Sequence, residues 1–164
     1  MSRDQRLRED RLVFYKKDID RLNAEIDTFL ELSKARCVLL VDRDGHLVTR
    51  RGESVKSAED TISALIAGSF AATREMARIM GENEFAILFH QGQRDSIQLQ
   101  LIGERTLMAV LFDGRTNLGM VRFYAQESAG RLQEVLDEVT RQERSADLGD
   151  DYGSSAKDAL DKLL

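Results

Sequence analysis

The sequence predicts an α+β fold in which an antiparallel sheet carries helices on its faces. Three observations predict it. The elements read in the order helix, two strands, helix, three strands, helix, which implies an antiparallel sheet rather than repeated βαβ units. The strand candidates are joined by turn-like spacers: Arg43, Asp44 and Gly45, then GQRD, then GERT. Residues 61–73, TISALIAGSFAAT, carry no charge in a chain that is 32% charged, and they lie inside a pattern that reads as one helix over 57–80.

The first helix is expected over about residues 5–35. Leu12, Tyr15, Ile19, Leu22, Ile26 and Phe29 fall three and four apart and make one inward stripe. The charged residues 1–11 lack that stripe and are expected to form a solvated helical extension of a domain spanning 12–144. CVLLVD and HLVTR follow as two strands, with Asp44-Gly45 supplying the positive φ of a tight hairpin. Cys37 opens the first of them, and a buried, inert thiol is the reading that fits an apolar strand.

In the central helix Ile62, Leu65, Ile66, Ser69, Thr73, Met76 and Met80 form the stripe expected to press onto the sheet. Ala64, Ala67, Gly68 and Ala71 form a smooth opposite strip. A helix apolar all round is normally covered on all sides, so that strip is expected to meet a second chain or a partner. Gly81 ends the helix as a C-cap glycine. FAILFHQ, SIQLQLI and LMAVLFD are the three remaining strands. Ser96, Gln98 and Gln100 alternate with Ile97, Leu99 and Leu101, which predicts one wet face on the middle strand.

The last helix is expected over 117–144, with Leu118, Val121, Ala125, Ser128, Leu132, Val135 and Val139 inward. Residues 145–154, rich in Gly, Ser and Asp, read as a flexible linker. Residues 155–164 read as a short amphipathic helix gathering Ala159, Leu160, Leu163 and Leu164, marginal by itself.

Composition narrows the function classes. A net charge of -5 argues against nucleic acid as the main partner, and no apolar run is long enough to span a membrane. The charged first residues lack the apolar core of a signal peptide, so a cytoplasmic protein is expected. GESVKS at 52–57 lacks the glycine that precedes the lysine of a phosphate loop. Asp42, Asp44, Gly45 and His46 suggest a calcium loop, but the glycine comes too early and histidine stands where an oxygen ligand belongs, so a hairpin turn is the better reading. His46 and His90 have no metal-ligand spacing, and neither a Gly-x-Ser-x-Gly elbow nor a Cys-His pair is present. No active site, metal or cofactor is therefore expected.

The runs LVFYKKDIDRLNAE, CVLLVDRDGHLVTRRG, LIAGSFAATREMARIMGENEF, FHQGQRDSIQLQLIG and LMAVLFDGRTNLGMVR occur in order, and over residues 12–139 the chain resembles a bacterial member of the Roadblock (dynein light chain) family. The resemblance implies a five-stranded antiparallel sheet with the central helix on one face and the two terminal helices on the other. It also implies a homodimer formed by the central helix and the strand after it, which assigns Phe85, Leu88, Phe89 and His90 to a dimer strand. The implied partner is a small Ras-like GTPase of the MglA type, GTP-bound form preferred, in bacterial polarity and motility. The implied action is that of a GTPase-activating protein that reshapes the switch regions without an arginine finger.

On that resemblance Ala64, Ala67, Gly68, Ala71, Glu75 and Arg78 mark the surface for dimer and GTPase contacts, while Leu160, Leu163 and Leu164 are a second GTPase contact. Arg74 and Arg78 sit on a regular helix, where arginines pair with neighbours or edge an interface more often than they reach a phosphate. Two rival classes are a non-catalytic Roadblock adaptor and a small-ligand sensor. The sensor requires a pocket between sheet and helix with polar groups converging in it, and the apolar stripes show none.

Overall fold

The computed structural model describes residues 13–53 and 58–163, apart from the side chains of 146–159 and 161. Three helices and five strands follow one another as α1 (Lys16–Ser33), β1 (Cys37–Asp42), β2 (Leu47–Gly52), α2 (Glu59–Met80), β3 (Ile87–Gln91), β4 (Ser96–Ile102), β5 (Thr106–Phe112) and α3 (Leu118–Leu163). The strands lie in the order β2-β1-β5-β4-β3, every neighbour antiparallel. Helices α1 and α3 close one face over Val38, Leu40, Met108, Val110 and Phe112. Helix α2 lies on the other, over Cys37, Leu39, Val41, Leu107 and Ala109. Since β1 and β5 are covered on both faces, they are near-continuous apolar runs instead of alternating ones.

Helix α1 starts later than the stripe suggested. Tyr15 is extended and exposed, and its N–H donates to the Asp18 carboxylate at 3.1 Å, half of a capping box. The proposed extension at 1–11 lies outside the described residues. Leu22, Ile26 and Phe29 are buried as the spacing requires. In the β1–β2 turn Asp42 Oδ1 accepts the N–H groups of Asp44 and His46 at 3.0 and 2.9 Å, an Asx-type turn. Gly45 is needed there on two counts: its φ is +92°, and a Cβ would stand 3.0 Å from the Cα of Ala64 on α2.

Four expectations require correction. The buried face of α2 is Ser63, Ile66, Ala67, Phe70, Thr73 and Ala77, so Leu65, Met76 and Met80, expected inward, are exposed, and Ala67, expected outward, is buried. Small residues around Phe70 fit this helix against the sheet, and the two hydroxyls among them stay satisfied by donating back along the helix, Ser63 to the Glu59 carbonyl and Thr73 to that of Ser69.

The wet face of β4 is dry at its centre. Gln98 is fully buried opposite Val110, because α1 and α3 cover that side of the sheet. Phe85 precedes β3 instead of belonging to it. Finally, α3 is one helix through residues 145–154, where a linker was expected, and through 155–163. Gly149 and Gly153 each cost about 1 kcal/mol relative to Ala within a helix, which weakens it without ending it, and no proline intervenes.

Candidate protein-interaction surface

The outward face of α2 has two unlike halves. In the first, Ala64, Leu65, Gly68, Ala71 and Ala72 are exposed and none is charged. A Cβ on Gly68 would meet nothing within 4 Å, so this stretch is smooth and open. In the second half Arg74, Glu75, Met76, Arg78, Ile79 and Met80 are exposed, a mixture of charge and apolar bulk. Arg78 Nε donates to Glu75 at 2.9 Å one turn away. Leu65, Met76, Ile79 and Met80 are each more than half exposed, an apolar surface that the fold itself leaves uncovered.

Strand β3 ends the sheet on the side away from β1 and β2, the strands to which α2 lies closest. Among the described residues it pairs with β4 alone, so its other side offers unpaired backbone groups. Of the residues assigned to a dimer strand, Leu88 packs into the core under α2, and Phe89 turns to the opposite face, where its ring stacks on Phe112 at 6.0 Å. His90 is exposed. What β3 presents at the edge is therefore chiefly main chain, with Ile87 and His90 beside it.

Between the second half of α2 and the sheet runs a groove of about 630 Å³. Ala67, Phe70 and Leu107 give it an apolar floor, and Arg43, Arg74 and Arg78 stand around it. Arg43 comes from the β1–β2 turn and donates through Nη2 to Glu84 Oε1 at 2.9 Å. Arg74 Nε lies 4.0 Å from the same oxygen. Two guanidinium groups thus share one carboxylate, while the Arg43 Nε is buried with no hydrogen-bond partner. Sequence reasoning missed Arg43 and missed the groove. Only the register that sets the hairpin against α2 brings Arg43 to Arg74, and nothing local in the sequence signals it.

The opposite end of the sheet is held by a second charged cluster. Arg36 donates to Glu53 at 2.9 Å and to Asp95 at 2.7 Å, and Arg115 donates to Glu53 at 2.9 Å while gripping Asp113 with Nε and Nη2. Hydrogen bonds from Arg115, then Arg36, hold the Glu53 carboxyl below the usual carboxylate range. Arg115 does the same to Asp113. Gly52 permits this convergence: its φ is +99°, and a Cβ there would stand 2.3 Å from the Arg36 carbonyl oxygen.

Asp42, Asp44 and His46 have ligand atoms within 4.8 Å of one another. The Asp42 Oδ1 already serves the turn N–H groups, so the arrangement is that of a hairpin turn. Burial pushes the Cys37 thiol up, away from the reactive thiolate. Leu160 and Leu163 are exposed near the end of α3, and Leu164 lies outside the described residues. No helix among the described residues is long and apolar enough to cross a membrane.

The sequence model described as Roadblock/LC7 domain matches residues 23–112, from within α1 to the end of β5. Among solved structures, Myxococcus xanthus MglB is 33% identical with a TM-score of 0.73, over 78% of this chain and 96% of that one. The gliding protein MglB from Thermus thermophilus is 29% identical with a TM-score of 0.73, over 77% of this chain and 96% of that one. An MglB with a tetrameric arrangement is 29% identical with a TM-score of 0.74, over 78% and 96%. No curated protein sequence matches the chain.

Proposed function

The chain belongs to the Roadblock/LC7 family, and we propose that it is a homodimeric, cytoplasmic activator of a small Ras-like GTPase of the MglA type, working in bacterial cell polarity and motility. The observation that carries this reading is the uncovered surface of α2, uncharged in its first half, together with the open edge of β3, in a chain one third identical to an MglB. A second copy that pairs β3 with β3 extends the sheet and removes its edge. Two α2 helices then lie side by side, their Gly68 and Ala64 strips allowing close approach.

The activator acts on the GTPase's own machinery. Arg78 is paired to Glu75, and Arg74 stands beside Glu84 on a regular helix, so neither is presented as a finger. Gripping the switch loops requires the state that orders them, hence the GTP-bound partner. Leu160 and Leu163, exposed on the end of α3, form a second contact with the same GTPase.

Single-turnover GTP hydrolysis by the cognate GTPase, with and without this protein, tests the activity. Stimulation together with tighter binding of the GTP-analogue form is the expected result. Binding with no stimulation, and equal dissociation constants for the two nucleotide states, would leave an adaptor.

A further inference from the structure

The two edges of the sheet are not alike. The β2 edge carries Arg50, ion-paired to Glu59, and Arg51, ion-paired to Asp27, and charged side chains of this kind blunt an edge against further pairing. The β3 edge, Ile87–Gln91, has no Asp, Glu, Lys or Arg in a chain that is 32% charged. Its hydrogen-bonding phase is set by bonds at its two ends. Ala86 faces Leu101 one step before Ile87 faces Gln100, and the Leu101 N–H donates to the Ala86 carbonyl at 3.1 Å. At the other end the Gly92 N–H donates to the Asp95 carbonyl at 3.0 Å. In an antiparallel ladder such bonded pairs recur at every second residue, so Leu88 and His90 give their main-chain groups to β4. Ile87, Phe89 and Gln91 therefore aim theirs at the open side.

That pattern is symmetric about Phe89, and the symmetry selects the occupant. A second copy related by a two-fold axis offers the same strand reversed. Residues opposite each other in an antiparallel pair share a face, so joining two sheets with like faces aligned requires Phe89 and its alternate neighbours to meet one another. Leu88 packs under α2, while Phe89 lies on the other face, stacked on Phe112. With Phe89 opposite Phe89, every outward residue is used, because Ile87 then meets the partner's Gln91 and Gln91 meets the partner's Ile87. A slip of two residues keeps the faces aligned but leaves Gln91 in one direction, or Ile87 in the other, with no strand residue opposite it. The side chains agree with the centred register. It sets His90 against the partner's Leu88 and not against itself, and it continues the Phe112–Phe89 stack with a second aromatic pair. We propose that β3 pairs with β3 of a second copy in this one register, with Phe89 on the two-fold axis. The proposal rests on the homodimer reading and adds to it which residues meet.

The test is amide hydrogen exchange of the full chain, read residue by residue, beside its mass in solution. Exchange slowed about ten-fold or more at Ile87, Phe89 and Gln91 alike, relative to unpaired amides, in a chain of dimer mass, is the expected result. A second measurement places a nitroxide on Ile87→Cys or on Gln91→Cys. Both positions are exposed, and Cys37 is buried, so the added thiol takes the label. In the centred register each site is offset from its copy by four residues, about 14 Å of strand, so the two separations are equal. A slip of two residues makes the offsets about 7 and 20 Å. Should a label split the dimer, exchange in the unlabelled chain decides. A dimer in which Ile87 or Gln91 exchanges as an unpaired amide, or in which the two separations differ, overturns the register and leaves the homodimer standing. A dimer in which all three exchange freely overturns the β3 contact. Protection that arises only once the GTPase is added does so too, because the occupant is then a strand of that partner. A monomer overturns the homodimer reading and this proposal with it.

Discussion

The two faces of the sheet are closed by different means. On one, α1 and α3 bury Leu22, Ile26, Phe29, Leu132 and Val135 together with Met108 and Val110, and ion pairs join the helices from Arg21 to Glu138 and from Arg131 to Glu25. On the other, among the described residues, α2 alone covers the strands, mostly with small residues around Phe70, and turns Leu65, Met76, Ile79 and Met80 outward. The first face keeps most of its large apolar side chains inside, with Leu32, Met120 and Phe123 scattered on its outer side. The second has apolar area on both sides of its one helix, and only the inner side is used by the fold. Apolar side chains on the two faces should therefore answer to different measurements, stability on the first and association on the second.

The largest expected effect comes from the first face. Phe29→Ala should lower unfolding free energy by about 3–5 kcal/mol, the usual range for truncating a buried aromatic. Leu65→Ala on the exposed side of α2 should change it by less than about 0.5 kcal/mol. Urea titrations of the two variants make the comparison directly, and equal losses would mean that Leu65 is buried in the folded monomer after all.

Next comes Gly68→Arg. A Cβ at this position meets nothing within 4 Å and the position is exposed, so circular dichroism and melting should hardly change while GTPase binding is lost. Gly68 is a cleaner probe than Ala64, whose backbone already touches the turn at Gly45. Early unfolding of Gly68→Arg would show that the strip belongs to the core.

A smaller effect separates the regions by pH. Hydrogen bonds from Arg115 and Arg36 lower the Glu53 carboxyl. Those from Arg115, Arg51 and Arg21 lower Asp113, Asp27 and Glu138 respectively. A carboxyl lowered in the folded state stabilises the fold above its unfolded pKa of about 4 and loses that contribution as pH falls through the folded value. Urea midpoints should accordingly drop below about pH 4 and be flat from there to neutrality as far as these groups are concerned. The uncharged first half of α2 carries no such dependence. Arg115→Met should flatten part of the acid limb, and an unchanged limb would show that the cluster adds nothing.

The smallest effect is expected from deleting residues 155–164. Dimer mass and melting should stay the same, while affinity for the GTPase falls modestly through the loss of Leu160 and Leu163 as exposed apolar contacts. Identical affinity and hydrolysis rates would remove the second contact, and a lower melting temperature would place this end of α3 on its own domain.

Much of the architecture is legible in the sequence. CVLLVD and LMAVLFD announce doubly covered strands by their unbroken apolar runs, and Asp44-Gly45 announces the hairpin by the positive φ it allows. The inner stripe of α3 reads correctly from Val121 to Val139 because beyond Phe123 its outer side is mostly charged and offers no rival stripe. Helix α2 reads with the wrong rotation for the converse reason: when both sides are apolar, spacing shows that there are two apolar surfaces but not which one meets the sheet. Gln98 misleads in the same way, since a polar side chain alternating with leucines looks wet until α3 is laid over it.

By itself the sequence determined what depends on near neighbours: the order of elements, the turns, the strands covered on both faces, and the presence of a helix with more apolar surface than one sheet requires. The tertiary structure alone decided which face of α2 is spent on the core. It also decided that Gly149 and Gly153 do not interrupt α3, and that Arg43 from a hairpin turn meets the carboxylate of Glu84, 41 positions away, and stands beside Arg74. The physical reason is that local propensity and periodicity act over a few residues, whereas burial and charge pairing are set by whatever the folded chain lays opposite.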